Sequence, residues 1–249
     1  MDWTMGPAST WDAMSNWLSQ VANTLPNEPQ AILVVSAHWE TPIISVTSAA
    51  TPELIYDYHG FPEHTYQLRY DAPGSPALAK EVCELLAASG IEAALDPERG
   101  FDHGVFVPLK MMFPEASIPV VQVSLHHSLD PMLHIDIGAA LEPLRERGVL
   151  IVGSGMSFHN MAKLMSGERE IEDSDEFDEW LSKSCQMEAA ARTVRLCDWS
   201  NAPAGRSAHP REEHLLPLMV AAGAGSHNGG RRIFRDRVMG STVAAFQFD

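Results

Sequence analysis

The chain has 249 residues, 45% of them hydrophobic and 20% charged, with a formal net charge of -16 at pH 7. That length and apolar content bury a sizeable core, and α/β folds of this size are commonly one domain, so one domain over residues 1–249 is expected. The acidity argues against nucleic acid or an anionic membrane as partner, and no apolar run approaches the ~20 residues that cross a bilayer, so a soluble cytoplasmic protein is expected.

Ser9 and Thr10 can cap a first helix whose apolar face is Trp11, Met14, Leu18 and Val21. Ala31 to Ala37 reads as a buried strand ending in the "SAHWE" segment, and Ile43 to Thr47 as a second strand. Pro73-Gly74-Ser75-Pro76 opens a helix with Leu78, Val82, Leu85 and Leu86 on its apolar face, and Gly90 closes it. Ile118 to Leu125 and Val149 to Val152 are short, β-branched and apolar, as strands covered on both faces are. The acidic run Glu168 to Glu179 reads as a solvated loop or helix start, Glu176 to Leu196 and Glu212 to Ala222 as helices, and Val243 to Phe248 as the strand that closes the sheet. This alternation predicts an α/β fold, a three-layer α/β/α domain around a mostly parallel or mixed sheet. Cys83, Cys185 and Cys197 are odd in number with no C-x-x-C spacing, which points to reduced structural thiols.

The histidines stand out by placement. His38 follows the first predicted strand, His126 and His127 follow the Ile118–Leu125 run, and His159 lies just beyond the Val149–Val152 strand. Open α/β sheets bind ligands beyond the carboxyl ends of their strands. Imidazole suits Zn, Fe, Cu and Ni, and imidazole with carboxylate suits non-haem iron, although no H-E-x-x-H is present. Each residue also has a plainer reading. His38 could be a hydrogen-bonded core histidine, and His159 could line the turn after "GSG". In "HPREEH", His209 and Glu213 are four apart and could share a helix face in place of His214. His59, His64, His126 and His127 read as surface or rim residues, and Leu109 to Phe113 as core.

"SAHW", "HGFPEHTYQLRYDAPGSPALA", "GFDHGVFVPLKMMFP", "IPVVQVSL", "GVLIVGSGMSFHN" and "HPREEHLLPL" occur here in the order found in the LigB-like extradiol ring-cleaving dioxygenases, which the chain resembles over nearly its whole length. Within that family it resembles the DOPA-dioxygenase-like branch. The resemblance implies that His38 and His214 ligate the metal, that His159 is the acid/base residue, and that His103 lies around the substrate or dioxygen; with His214 as ligand, Glu213 is a candidate to orient an imidazole. It also implies Fe(II) as cofactor, with Zn(II) able to occupy the same nitrogens, and a catechol-type substrate cleaved with O2 next to, not between, its two hydroxyls. The chemistry accounts for such residues: a catechol chelates iron when one oxygen is deprotonated, and ring attack needs a proton moved on and off oxygen. Members of the branch carry a further ligand on an N-terminal strand and His-Gly turn, and no histidine precedes His38 here, so the expectation is a metal that is absent or held by only His38 and His214, with water or Glu213 completing the shell, and dioxygenase activity that is weak or nil. Two other readings stay open: a zinc-dependent hydrolase using the same crevice, and a non-catalytic binding protein.

Overall fold

The structure, a computed structural model, describes residues 7–225 and 228–249. In chain order its main elements are α1 (Asp12–Thr24), β1 (Ala31–Thr41), β2 (Ile44–Thr47), α2 (Pro76–Ala88), β3 (Ala93–Asp96), α3 (His103–Met112), β4 (Val120–His126), α4 (Pro131–Leu141), α5 (Pro143–Glu146), β5 (Val149–Ser154), α6 (Met161–Leu164), α7 (Glu172–Cys185), α8 (Ala189–Cys197), α9 (Gly205–Ala208), α10 (Leu216–Ala224), β6 (Arg231–Val238) and β7 (Ser241–Gln247). Two compact units result: a sheet unit, 15–128 with 140–154, and a helical unit, up to Met14 with 129–139 and 155–249.

The sheet unit holds a five-stranded mixed sheet in the order β3-β2-β4-β1-β5, flanked by helices. β1 lies parallel to β4 and β5, β2 runs antiparallel to β4, and β3 is parallel to β2. Central β1 is apolar without alternation because both faces are covered: Ala31 to Val35 are all buried. Ile32 and Val34 pack with Phe101, Phe106 and Leu109, and against Leu18 and Val21 of α1. Each such side chain, fully buried, contributes about 1.5–3 kcal/mol. Helix α2 follows its sequence signals. Pro76 opens it, Ser75 Oγ accepts the Leu78 N–H at 3.2 Å, and the bonds Gly90 N–H to Ala87 O and Ile91 N–H to Leu86 O close it.

The helical unit gathers α6 to α10 and the β6–β7 hairpin. The predicted Glu176–Leu196 helix is two helices, α7 and α8, interrupted at Gln186 to Glu188. The acidic run lies partly on α7, whose Phe177, Trp180 and Leu181 are buried while its carboxylates meet β6. Buried Asp178 accepts from Arg232 at 2.7 Å and Arg235 at 2.8 Å, and Asp175 accepts from Arg237 at 2.7 Å. The expectation that Val243 to Phe248 closes the main sheet is corrected: β7 pairs antiparallel with β6 in a separate two-stranded sheet. β6, "RRIFRDRV", carries too many charges to read as a strand, because three of its arginines, Arg232, Arg235 and Arg237, pair with carboxylates of α7.

Candidate active site

In the sheet unit the site grows from an irregularity in β1. Between the pairs Val35↔Val123 and Glu40↔Leu125, β1 advances five residues while β4 advances two. Extra residues in one strand bend it and re-aim its side chains. His38 sits inside this bulge, not after the strand as the sequence suggested. The bulge is pinned from below: Ser36 Oγ accepts the His38 N–H at 3.2 Å and donates to Asp102 at 2.7 Å. Arg99 donates to the His38 carbonyl at 3.4 Å and lies over the Trp39 ring at 5.1 Å.

Asp102 is fully buried and caps α3 through the Gly104 N–H at 3.0 Å, while also accepting from Arg99 and the Gln122 amide. His103 is therefore the first residue of α3. Its N–H and its ring Nδ1 reach the same oxygen of Asp57, at 3.0 and 2.7 Å, and its ring lies 4.0 Å from that of His38. Burial works to raise the Asp57 pKa, but the hydrogen bonds from the His103 ring and backbone outweigh it and hold the carboxyl down at about 2. A Cβ on Gly104 would sit 2.4 Å from Ser36 Oγ and 3.0 Å from the His38 ring, so only glycine lets α3 start this close to the bulge. Tyr58 stands edge-on to His103 at 5.7 Å.

In the helical unit the chain beyond β5 passes against the "HPREEH" segment. Met156 N–H donates to the His214 carbonyl at 3.0 Å, an approach that the missing side chain of Gly155 permits: a Cβ there would lie 2.2 Å from that oxygen. The His159 and His214 rings stack with centroids 3.3 Å apart at 11°. Glu213 Oε1 lies 3.3 Å from His214 Nδ1 and 3.7 Å from His159 Nδ1. The hydrogen bond to His214 holds the Glu213 carboxyl down at about 2. Burial, then the neighbouring His214, lowers the His159 pKa to about 4 against the opposing pull of Glu213, so the ring is neutral at ordinary pH.

The predicted helix from Glu212 starts instead at Leu216, and residues 211–215 form a turn. His209 and Glu213 thus share no helix face. His209 is buried, its Nε2 donates to the Ser157 carbonyl at 3.1 Å, and burial lowers its pKa to about 3.

Among the described residues, two groups of side chains bring ligand atoms within 4.8 Å of one another: His38, Asp57 and His103 in the sheet unit, and His159, Glu213 and His214 in the helical unit. Each is two imidazoles with one carboxylate, a donor set that suits Fe(II) or Zn(II). The structure brings His159 to His214 and His38 to His103; the two expected ligands, His38 and His214, fall in different units and different groups. Asp57 escaped the sequence reading, since no spacing ties it to a histidine 46 residues away. His126 and His127 stack on each other at 4.7 Å, and His59 and His64 are exposed, as expected of rim or surface residues.

A mixed sheet flanked by helices, with histidine–carboxylate groups of ligand geometry, defines an α/β protein equipped to hold a divalent metal. The family model for the catalytic LigB subunit of aromatic ring-opening dioxygenase matches residues 7–247. A 4,5-DOPA dioxygenase extradiol of Portulaca grandiflora is 46% identical over 208 residues, covering 82% of this chain and 75% of that protein. Its Escherichia coli namesake is 39% identical over 204 residues, covering 81% and 74%. The crystal structure of an uncharacterized protein from Escherichia coli K12 matches with a TM-score of 0.81 at 33% identity, covering 94% of this chain and 92% of that one. The chain belongs to the LigB family and is an extradiol ring-opening dioxygenase. Among the described residues, no helix is long and apolar enough to cross a membrane.

Proposed function

We propose that the chain, as one catalytic domain over residues 1–249, opens a catechol-type ring with dioxygen next to its two hydroxyls, using non-haem Fe(II). The observation that carries this reading is the group His159, Glu213 and His214, whose donor atoms converge beside two stacked rings on a chain of the ring-opening family. The proposal gives His38 and His214 the part of metal ligands, and Zn(II) can occupy the same nitrogens. A bound ferrous ion would supply electron exchange with dioxygen and the charge that holds a catecholate. Glu213 fixes the His214 ring through its Nδ1. His159 takes a proton from a substrate hydroxyl and returns it as the ring opens. Asp57 holds Nδ1 of His103, which faces substrate or dioxygen with its other nitrogen.

The test is anaerobic Fe(II) loading with metal quantification, then oxygen uptake against a catechol panel, with the zinc-loaded chain as control. Oxygen uptake is expected with iron and not with zinc. His38→Ala and His214→Ala should each lose the metal, and His209→Ala should keep it. His159→Ala should keep metal and lose turnover by roughly two to four orders of magnitude. Hydrolysis with zinc in the absence of oxygen, or no turnover with any catechol, would overturn the reading; loss of metal from His159→Ala would make that residue a ligand instead.

A further inference from the structure

We infer that His209 is a positioning residue for His159, holding the 157–160 loop at the height from which the His159 ring meets its partners. The inference rests on the reading of His159 as the acid/base residue. Three hydrogen bonds join this loop to the 207–209 segment. Asn160 Nδ2 donates to the Ser207 carbonyl at 2.7 Å, His159 N–H to the Ala208 carbonyl at 3.0 Å, and His209 Nε2 to the Ser157 carbonyl at 3.1 Å. Of the three, the His209 bond acts two residues before His159. It also bears on the far side of the loop, because Ser157 Oγ accepts the Ala244 N–H of β7 at 2.8 Å. Ser157 is thus held between β7 and the His209 ring.

The ring itself is held firmly. It is fully buried, edge-on to Phe177 at 5.4 Å and to Trp199 at 6.0 Å. With Ser157 accepting, the hydrogen resides on Nε2, which leaves the Nδ1 lone pair buried with no hydrogen-bond partner. A buried acceptor without a partner costs stability, and a phenylalanine or leucine between Phe177 and Trp199 would carry no such atom. What the imidazole offers there that those residues would not is the one donor it presents to Ser157. His209 is not a member of the group His159, Glu213 and His214, and its ring bonds instead to the Ser157 carbonyl, so it acts through the loop and not on the substrate.

The test compares the iron-loaded parent with His209→Phe, which fills the slot without a donor, and with His209→Gln, whose amide nitrogen reaches about where Nε2 stood. His209→Asn, too short to reach the Ser157 carbonyl, serves as the polar variant lacking this bond should the phenylalanine variant fail to fold. Amide hydrogen exchange at His159 and Ala244 is read alongside kcat and KM. In His209→Phe, or His209→Asn, exchange at both amides should quicken at least tenfold. The same variant should show kcat down roughly 10–100-fold, with KM nearly unchanged and metal retained. His209→Gln should recover most of both, and adding His209→Phe to His159→Ala should cost no further kcat. Unchanged exchange in the variants that lack the bond to Ser157, or a glutamine no better than they are, overturns the inference. Absence of turnover in the parent instead overturns the proposed function, and the exchange data then still decide whether His209 holds the loop.

Discussion

Asp102 joins three elements, and its removal should be felt in both stability and metal retention. Its buried carboxylate accepts from Ser36 Oγ on β1, the Gly104 N–H on α3, the Gln122 amide on β4, and Arg99. Asp102→Ala orphans the first three donors inside the protein; Arg99, with a side chain 23% exposed, can turn toward water. An orphaned buried donor costs about 1–3 kcal/mol, and because the three share one acceptor their costs do not simply add, so the expected loss is ~3–5 kcal/mol. For a chain of this size that corresponds to a fall in Tm of about 6–20 °C. Asp102→Asn should cost about half as much. Its oxygen still serves Ser36 and Gly104, and Gln122 can turn over to offer the new amide its Oε1, which is buried without a partner in the parent. Calorimetry on the metal-free proteins is the assay, so that ligand binding does not contribute to Tm. A fall below about 3 °C for the alanine variant, or an asparagine variant as unstable as the alanine, would refute the reasoning. Because the His38 N–H hangs on Ser36 Oγ and His103 opens the helix that Asp102 caps, Fe(II) retention should fall in the same order.

Gly155→Ala should leave the far-ultraviolet spectrum unchanged yet weaken metal binding roughly 10–100-fold in a chelator competition, since the added Cβ pushes directly on the His214 carbonyl. A parent-like affinity would mean that His214 does not depend on that approach. At Asp175, burial opposes and the bonds from Thr242 and Arg237 outweigh it, so the carboxyl is held below the ordinary carboxylate range in the folded protein. A depressed folded pKa gives stability that is full above the unfolded value and fades as pH falls through the folded one. Thermal stability should therefore decline below about pH 4, and less steeply in Asp175→Asn; identical slopes would show that the Asp175 ion pairs carry none of the acid sensitivity.

The parts of the fold legible in the sequence are those whose signal is local. β1, β4 and β5 are mostly apolar, β-branched segments, and α2 announces both ends through Ser75, Pro76 and Gly90. β3 was not legible because Ala94 and Leu95 are exposed and give no buried-strand pattern. β6 was not legible for the opposite reason. Four arginines in eight residues look like a solvated loop until Asp175 and Asp178, more than fifty residues earlier, are set beside them. A pairing of that kind is written in two places at once, and neither place shows it alone.

The site follows the same division. The histidines at strand ends could be picked out because β1 and β5 could, and the motif blocks around His38, His103, His159 and His214 carried their expected roles. What the sequence could not express is how those histidines are aimed. The bulge in β1 is a count of residues between two pairings, five against two, and hydrophobic patterning contains no such count. Nor does spacing reveal Asp57, which meets His103 only because α3 begins where Asp102 caps it, or the burial of His209, which looked from "HPREEH" like a helical neighbour of Glu213. In each case an intervening backbone feature sets the direction of an imidazole: a bulge, a cap, a turn at 211–215. Residue types sufficient for metal chemistry can therefore be read before the fold is known, whereas the grouping of His159 with Glu213 and His214, and of His38 with Asp57 and His103, is a property of those three features and can be altered by substitutions that touch no histidine.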